Sequence, residues 1–299
     1  MKNSFGFAIM FLSGAVSAAF GVIPLNSPTT AWYAVPYAGS ARTDFLNDQQ
    51  TGINEADLVG SAVGAAALQT AFYFDFAGAL VGFRVRVDGD SNPPGFTGAI
   101  WVGLMLDGND SIDLFAGVIR KGPTSQIGFY NPGTGSNISP STTSIVDGSP
   151  LYSEVISASN YLFTPVTVGP SGNDPVSGGT ADISGDGNTD YFATWVLPFS
   201  QLQASAAARG FLGVTSNTPI RFVVGTSEQS NSINQDLNGT SGNTTSTSTF
   251  ATLGALSPTV TMGGGVVPEP SVLSYSLLAL AFFYLSARRR KAFGRNSQA

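Results

Sequence analysis

The sequence predicts an all-β chain folded as a two-sheet antiparallel β-sandwich of jelly-roll type with one short helix. Three observations carry that expectation. Glycine makes up 36 of 299 residues and only 11% of residues are charged, a composition suited to many turns and short strands rather than to helices held by ion pairs. The stretch 80–87, L-V-G-F-R-V-R-V, puts Phe83, Val85 and Val87 on one face and Arg84 and Arg86 on the other, the period-two alternation of a strand. Apolar runs of strand length recur between clusters of Gly, Asn, Asp and Pro.

Residues 1–19 combine Lys2, an apolar run over 5–11 and the small residues Val16, Ser17 and Ala18, the plan of a secretory signal peptide. A domain over 20–262 follows. Within it, 31–37 (A-W-Y-A-V-P-Y) is expected as a first strand, and 54–67 is rich in Gly, Ala and Val and ambiguous in type. After the F-Y-F-D-F run and the alternating strand, 88–95 (D-G-D-S-N-P-P-G) turns the chain into 99–106 (A-I-W-V-G-L-M-L), whose nearly continuous apolar character fits a central strand. Residues 107–110 turn it again, and 112–119 and 127–130 continue an antiparallel meander. A long loop is expected over 131–150, one or two strands over 152–168, and a polar Gly-rich loop over 169–187. The strand 191–199 should end at Pro198 and lead into an alanine-rich helix capped by Ser200 and closed by Gly210. A further strand spans 219–226; the Asn/Ser/Thr tract 228–249 is expected to be mobile, and glycines 263–265 open a linker over 263–271.

Composition excludes most catalytic chemistry. The chain has no Cys and no His, which removes disulfides, thiol catalysis, Ser-His-Asp triads and the usual zinc sites. Carboxylate chemistry and hard-cation sites built from oxygen ligands remain. Formal charge is −6, but without Lys2 and the five basic residues after Pro270 there are 7 basic against 19 acidic residues, or −12. A domain so acidic lacks the basic face that nucleic acid requires, whereas cations and neutral sugars are compatible with it.

The best local constellation is D-I-S-G-D-G-N-T-D. Asp182, Ser184, Asp186, Asn188 and Asp190 place oxygen-bearing side chains at alternate positions, with Gly187 sixth, as in the first half of an EF-type calcium loop. Position twelve is Ala193 rather than a bidentate Glu, so calcium here would need a remote carboxylate. The competing reading is a turn whose Asp and Asn side chains cap their own backbone. Asp107, Asn109, Ser111 and Asp113 repeat the alternation more weakly, and a hairpin turn accounts for them better. Glu55, Glu154 and Glu228 are the glutamates a glycoside hydrolase would draw on within the domain, yet none has a recognisable acid or nucleophile context. Trp32, Trp101 and Trp195 are candidates for stacking on sugars, although Trp101 and Trp195 lie within apolar strands where core packing is the plainer role.

Beyond the domain the sequence reads V-V-P-E-P-S, then the uncharged apolar run 272–287, then Arg288, Arg289, Arg290 and Lys291. The run is about 16 residues against the roughly 20 of a usual span, so a short transmembrane helix is expected, with flanking basic side chains snorkelling. The basic tail over 288–299 orients this end inward and the acidic domain outward. Pro268 and Pro270 hold Glu269 in extended, accessible backbone. This order resembles the PEP-CTERM sorting signal of bacterial surface proteins. The resemblance implies that Pro268, Glu269 and Pro270 form the motif read by a membrane processing enzyme of exosortase type. It also implies a domain delivered to the cell surface or extracellular matrix. The strand order over 72–226, with a proline-ended strand running into a short helix, is similar to DOMON and carbohydrate-binding-module sandwiches. Together these readings describe an exported, non-enzymatic structural or adhesive protein, anchored by its helix before processing, with extracellular polysaccharide as partner and calcium as its one candidate cofactor. The alternatives are a calcium-dependent carbohydrate-binding module and, behind it, a carboxylate-based glycoside hydrolase.

Overall fold

A computed structural model of the chain describes residues 24–35, 37, 42–51, 53–77, 79–91, 95–121, 124–133, 149–241 and 248–262. The expected signal peptide, the Pro268-Glu269-Pro270 motif, the apolar run 272–287 and the basic group Arg288 to Lys291 lie outside the described residues. Among the described residues no helix is long and apolar enough to cross a membrane.

Eleven strands are seen among the described residues, in two antiparallel sheets. They are β1 (Tyr33–Ala34), β2 (Phe72–Ala77), β3 (Leu80–Val87), β4 (Ala99–Met105), β5 (Leu114–Ile119), β6 (Gln126–Tyr130), β7 (Tyr152–Val155), β8 (Tyr161–Pro165), β9 (Tyr191–Pro198), β10 (Pro219–Ser227) and β11 (Val260–Thr261). One sheet has the order β1-β2-β3-β9-β8 and the other β11-β10-β4-β5-β6-β7. The sandwich class therefore holds. The jelly-roll subtype does not, because β4 to β7 follow one another as a meander within a single sheet and the chain changes sheets only three times, after β3, β7 and β9.

Alternation along the strands builds the inner core. Phe83, Val85 and Val87 of β3 face Ile100, Val102 and Leu104 of β4 across the sandwich, and Phe222 of β10 packs its ring 5.0 Å from Phe72 and 5.1 Å from Phe74 of the opposite sheet. Trp195 stacks on Phe83 at 5.3 Å, fully buried. These contacts bury most of the large apolar side chains, the dominant favourable term in folding.

The outer faces are covered as well. Outside the six-stranded sheet, Trp101, Met105, Phe115 and Tyr130 pack beneath Ile233, Leu237 and Phe250, so the tract expected to be mobile supplies a second core over its described residues. Ile233 and Leu237, set among Ser and Asn, face the sheet, and backbone bonds from Thr226 to Asp236 and from Asn238 to Val224 join the segment to β10. Outside the five-stranded sheet, Trp32, Tyr73, Val166 and Phe192 make a smaller cluster. Trp32 lies 4.5 Å from the Arg84 guanidinium and donates its ring N–H to Ser27 Oγ at 3.0 Å. All three tryptophans are thus buried rather than set out as sugar platforms.

Three local expectations are corrected. The first strand is only two residues, because Thr29–Ala31 forms a 3-10 turn before it. The ambiguous 54–67 segment is a 3-10 turn, Asn54–Ala56, followed by single bridges from Leu58 to Val87 and from Ala62 to Arg42. Helix α1 (Phe199–Ala208) begins immediately after Pro198, which holds extended backbone at φ −63°, so Ser200 lies in its first turn and makes no cap. Arg209 and then Gly210, at φ +93°, end it as expected.

Gly117 of β5 lies directly under Trp101, where a Cβ would meet the indole at 2.3 Å. Gly117→Ala should cost about 1–3 kcal/mol through overpacking, read as a lower denaturation midpoint. An unchanged midpoint would contradict the packing of Trp101 over this strand.

Candidate metal centre

Register decides what meets at one end of the five-stranded sheet. Val87 pairs with Tyr191 at the close of the β3 and β9 ladder, so the next residues outward, Asp88 and Asp190, leave the sheet side by side. Asp190 ends the glycine-rich 182–190 loop, so the loop folds back over Asp88. The Asp190 carboxylate is held in place from the inner side by Arg86, whose Nε donates to Oδ2 at 2.7 Å and whose Nη2 lies 2.6 Å from the same oxygen in an ion pair. Arg86 Nη1 donates to Asp174 Oδ2 at 2.8 Å, and Nη2 also reaches the Thr180 carbonyl at 2.7 Å. Asp174 further accepts from Thr29 Oγ1 at 2.8 Å and from the Gln69 amide. Arg86, Asp174 and Asp190 are all fully buried. A guanidinium this deep is stable because both its charge and its donors are matched.

The carboxylates of Asp88, Asp182 and Asp190 bring one oxygen each within 4.8 Å of one another. Asp190 spends Oδ2 on Arg86 and on the Ile183 N–H at 3.2 Å, leaving Oδ1 with no hydrogen-bond partner. Asp182 accepts from the N–H groups of Gly185 at 2.6 Å and Gly187 at 3.0 Å, and from Ser184 Oγ at 3.2 Å. Gly187 takes φ +95°, which lets the loop double back around that carboxylate. Asp88 is fully buried and neither of its oxygens has a hydrogen-bond partner. Burial pushes its carboxyl up to about 7, with the nearby Ser184 hydroxyl opposing and the charges of Asp186, Asp190 and Asp182 adding to the rise. Burial likewise raises Asp190 to about 6 against the pull of Arg86. Two acids destabilised as anions chiefly by burial, with three bare oxygens between them, form the oxygen-rich environment that a hard cation such as calcium occupies.

Of the five loop residues expected to bind calcium, the fold brings Asp182 and Asp190 into this cluster. Ser184 is bonded to Asp182, while Asp186 accepts from Asn188 N–H at 2.7 Å, from Asn188 Nδ2 at 2.6 Å and from Asn54 Nδ2 at 2.8 Å. Self-capping therefore describes part of the loop and a carboxylate cluster the rest. The remote carboxylate that the loop lacked is Asp88, placed by β-sheet register from 94 residues earlier in the chain. Its only trace in the sequence is an Asp directly after a strong strand. Beside the cluster opens a polar cleft of about 480 Å³ lined by Asn54, Asp90, Ser91, Asn188, Thr189 and Tyr191 among others.

The remaining candidates have structural partners. Asn109 N–H and Nδ2 bond Asp107 at 3.0 and 2.6 Å, Ser111 N–H bonds Asn109 at 2.6 Å, and Asp113 accepts from Leu106 N–H at 2.6 Å, closing a hairpin turn. Glu55 holds Thr97, Glu154 holds Tyr152 and Asn160, and Glu228 pairs with Lys121 at 2.8 Å.

Two outcomes follow from this geometry. Arg86→Ala strands two buried carboxylates and should cost about 3–5 kcal/mol; a loss under 1 kcal/mol on denaturant titration would show the network to be dispensable. In chelator, Asp88 binds its proton more tightly folded than unfolded. The stability it contributes is then fully present below its ordinary value of 3.8 and is lost as pH rises through about 7. Melting temperature should fall more steeply across that window in chelator than in calcium, because Asp113, raised to about 6, titrates in both, and parallel curves would count against a cation at Asp88.

Comparison with protein-family models, with curated proteins and with solved structures finds no match to this chain.

Proposed function

We propose that this chain is an exported, non-enzymatic protein of the bacterial cell surface or extracellular matrix, whose sandwich is completed by calcium at Asp88, Asp182 and Asp190. The observation that carries the cation is Asp88, a buried carboxylate with two bare oxygens facing like charges. As a bidentate ligand it would stand where the loop has no acidic twelfth residue, with Asp182 and Asp190 Oδ1 beside it. Its complete burial suits an ion and keeps a polymeric substrate away from it.

Delivery rests on the sequence at either end of the domain. The signal-like 1–19 segment, the Pro268-Glu269-Pro270 motif, the apolar 272–287 run and the stop of Arg288, Arg289, Arg290 and Lys291 favour export, processing by an exosortase-type enzyme and transient anchoring in the membrane. The acidic, His- and Cys-free composition argues against nucleic acid as a partner and leaves few routes to catalysis. The second reading, calcium-dependent carbohydrate binding, is favoured by the cleft beside the cluster, where the side chains of Asn54, Asp90, Ser91, Asn188 and Thr189 offer hydrogen bonds and half-exposed Tyr191 offers a ring. Extracellular polysaccharide is the ligand class that fits both readings.

Calcium at about 100 times its Kd should stabilise the full chain by about 2.7 kcal/mol, roughly 5–10 °C in melting temperature for a domain of this size. Asp88→Asn should remove the share of that gain that comes from this site, leaving a smaller shift than in the wild type. If the wild-type chain melts at the same temperature in calcium and in chelator, the reading fails. For delivery, mass spectrometry of chain recovered from the surface of the producing cells should find a C-terminus close to Pro270, and recovery only of intact chain in the cytoplasm would exclude it.

A further inference from the structure

A second group of carboxylates lies away from the 182–190 loop, and nothing in its sequence spacing announces it. Oxygens of Asp48, Asp57 and Asp236 come within 4.8 Å of one another, and Asp57 and Asp236 are buried. They belong to three segments: Asp48 to the stretch 42–51, Asp57 to the end of the Asn54–Ala56 turn, and Asp236 to the cover of the six-stranded sheet. Backbone N–H groups aim them. Asp57 accepts from Asn47 at 2.9 Å and Asp48 at 3.3 Å, and Asp236 accepts from Leu58 at 2.5 Å and Leu237 at 2.6 Å. These donors fix direction, but they bring no countercharge.

Asp44 supplies the independent observation. It is fully buried, its Oδ1 accepts from Gly239 N–H at 2.7 Å, and its Oδ2 has no hydrogen-bond partner. The charges that act on it most strongly are Asp236 and then Asp48, two members of the cluster, so this buried carboxylate lies within their electrostatic reach. The same segments hold two more buried oxygens without a partner, Gln49 Oε1 and Asn238 Oδ1, neutral donors of a kind hard cations accept. Elsewhere this fold buries Asp174 and Asp190 against Arg86. Among the described residues no Arg or Lys forms an ion pair with Asp44, Asp57 or Asp236.

We infer that Asp44, Asp48, Asp57 and Asp236 form a second calcium-type cation site, distinct from the one at Asp88, which clips the 42–51 segment and the cover of the six-stranded sheet to the edge of the sandwich. Asp44, Asp57 and Asp236, all buried and brought from positions up to 192 apart, cannot all remain charged without a counterion. Calcium is the fitting class. It takes six to eight oxygens in flexible geometry, whereas magnesium holds its waters in a strict octahedron and zinc favours the nitrogen and sulfur ligands this chain lacks. The ion acts as a cross-link in a chain with no cysteine.

Counting bound ions on the full chain by native mass spectrometry, after titration with calcium chloride, tests this inference. Wild type should hold two ions, Asp88→Asn one, and the double variant Asp57→Asn with Asp236→Asn one. A wild type with one ion, lost on Asp88→Asn, overturns the second site and leaves the first standing. One ion lost only in the double variant does the reverse, and no ion at all removes both. Should the double variant fail to fold, crystals of the unaltered chain grown with terbium decide the matter. An anomalous peak among Asp48, Asp57 and Asp236 supports the site, and its absence at saturating terbium refutes it.

Discussion

The burial of Arg86 is the constraint on which this architecture turns. An arginine on the outer face of an antiparallel sheet is ordinarily left to water, yet here it is sealed beneath loops and must find every partner within the protein. Asp174, Asp190 and the Thr180 carbonyl answer that demand. In doing so they pull the 166–190 segment down onto the sheet, bring Thr29 and Gln69 to the same carboxylate, and hold Asp190 beside Asp88. Charge matching under the loop thus becomes geometry at the sheet's end.

Both faces of the sandwich are insulated, by different means. The five-stranded sheet is covered by a polar network around Arg84 and Arg86, with Phe192 beside both guanidinium groups and Trp32 over Arg84. The six-stranded sheet is covered by an apolar cluster centred on Trp101, which needs only volume and shape. The buried aspartates gather at the seams where such covers meet the sheets. Among these buried carboxylates, oxygen-bound cations are the metal chemistry that a composition without Cys and His leaves open.

Much of the fold was legible in one dimension. The strands β3, β4 and β9 stand where alternation and apolar runs put them, because a two-residue period is a local property that survives tertiary context. The termination of β9 at Pro198 was equally readable, since proline acts on its own backbone. The 228–241 cover was not: its few apolar residues are diluted by Ser and Asn, and their burial depends on the outer surface of a sheet whose strands lie far away in sequence. Short β1 and β11 exist only because a neighbouring edge offers hydrogen bonds.

By itself the sequence determined the class of fold, the exclusion of thiol and imidazole chemistry, and the calcium-like spacing from Asp182 to Asp190. Each of these depends on residue type and local period alone. Only the tertiary structure decided which aspartates meet. Asp88 reaches Asp190 through strand register, and Asp57 reaches Asp236 through the closure of a loop cover, because proximity between distant carboxylates is created by tertiary packing and not by anything written beside them in the chain.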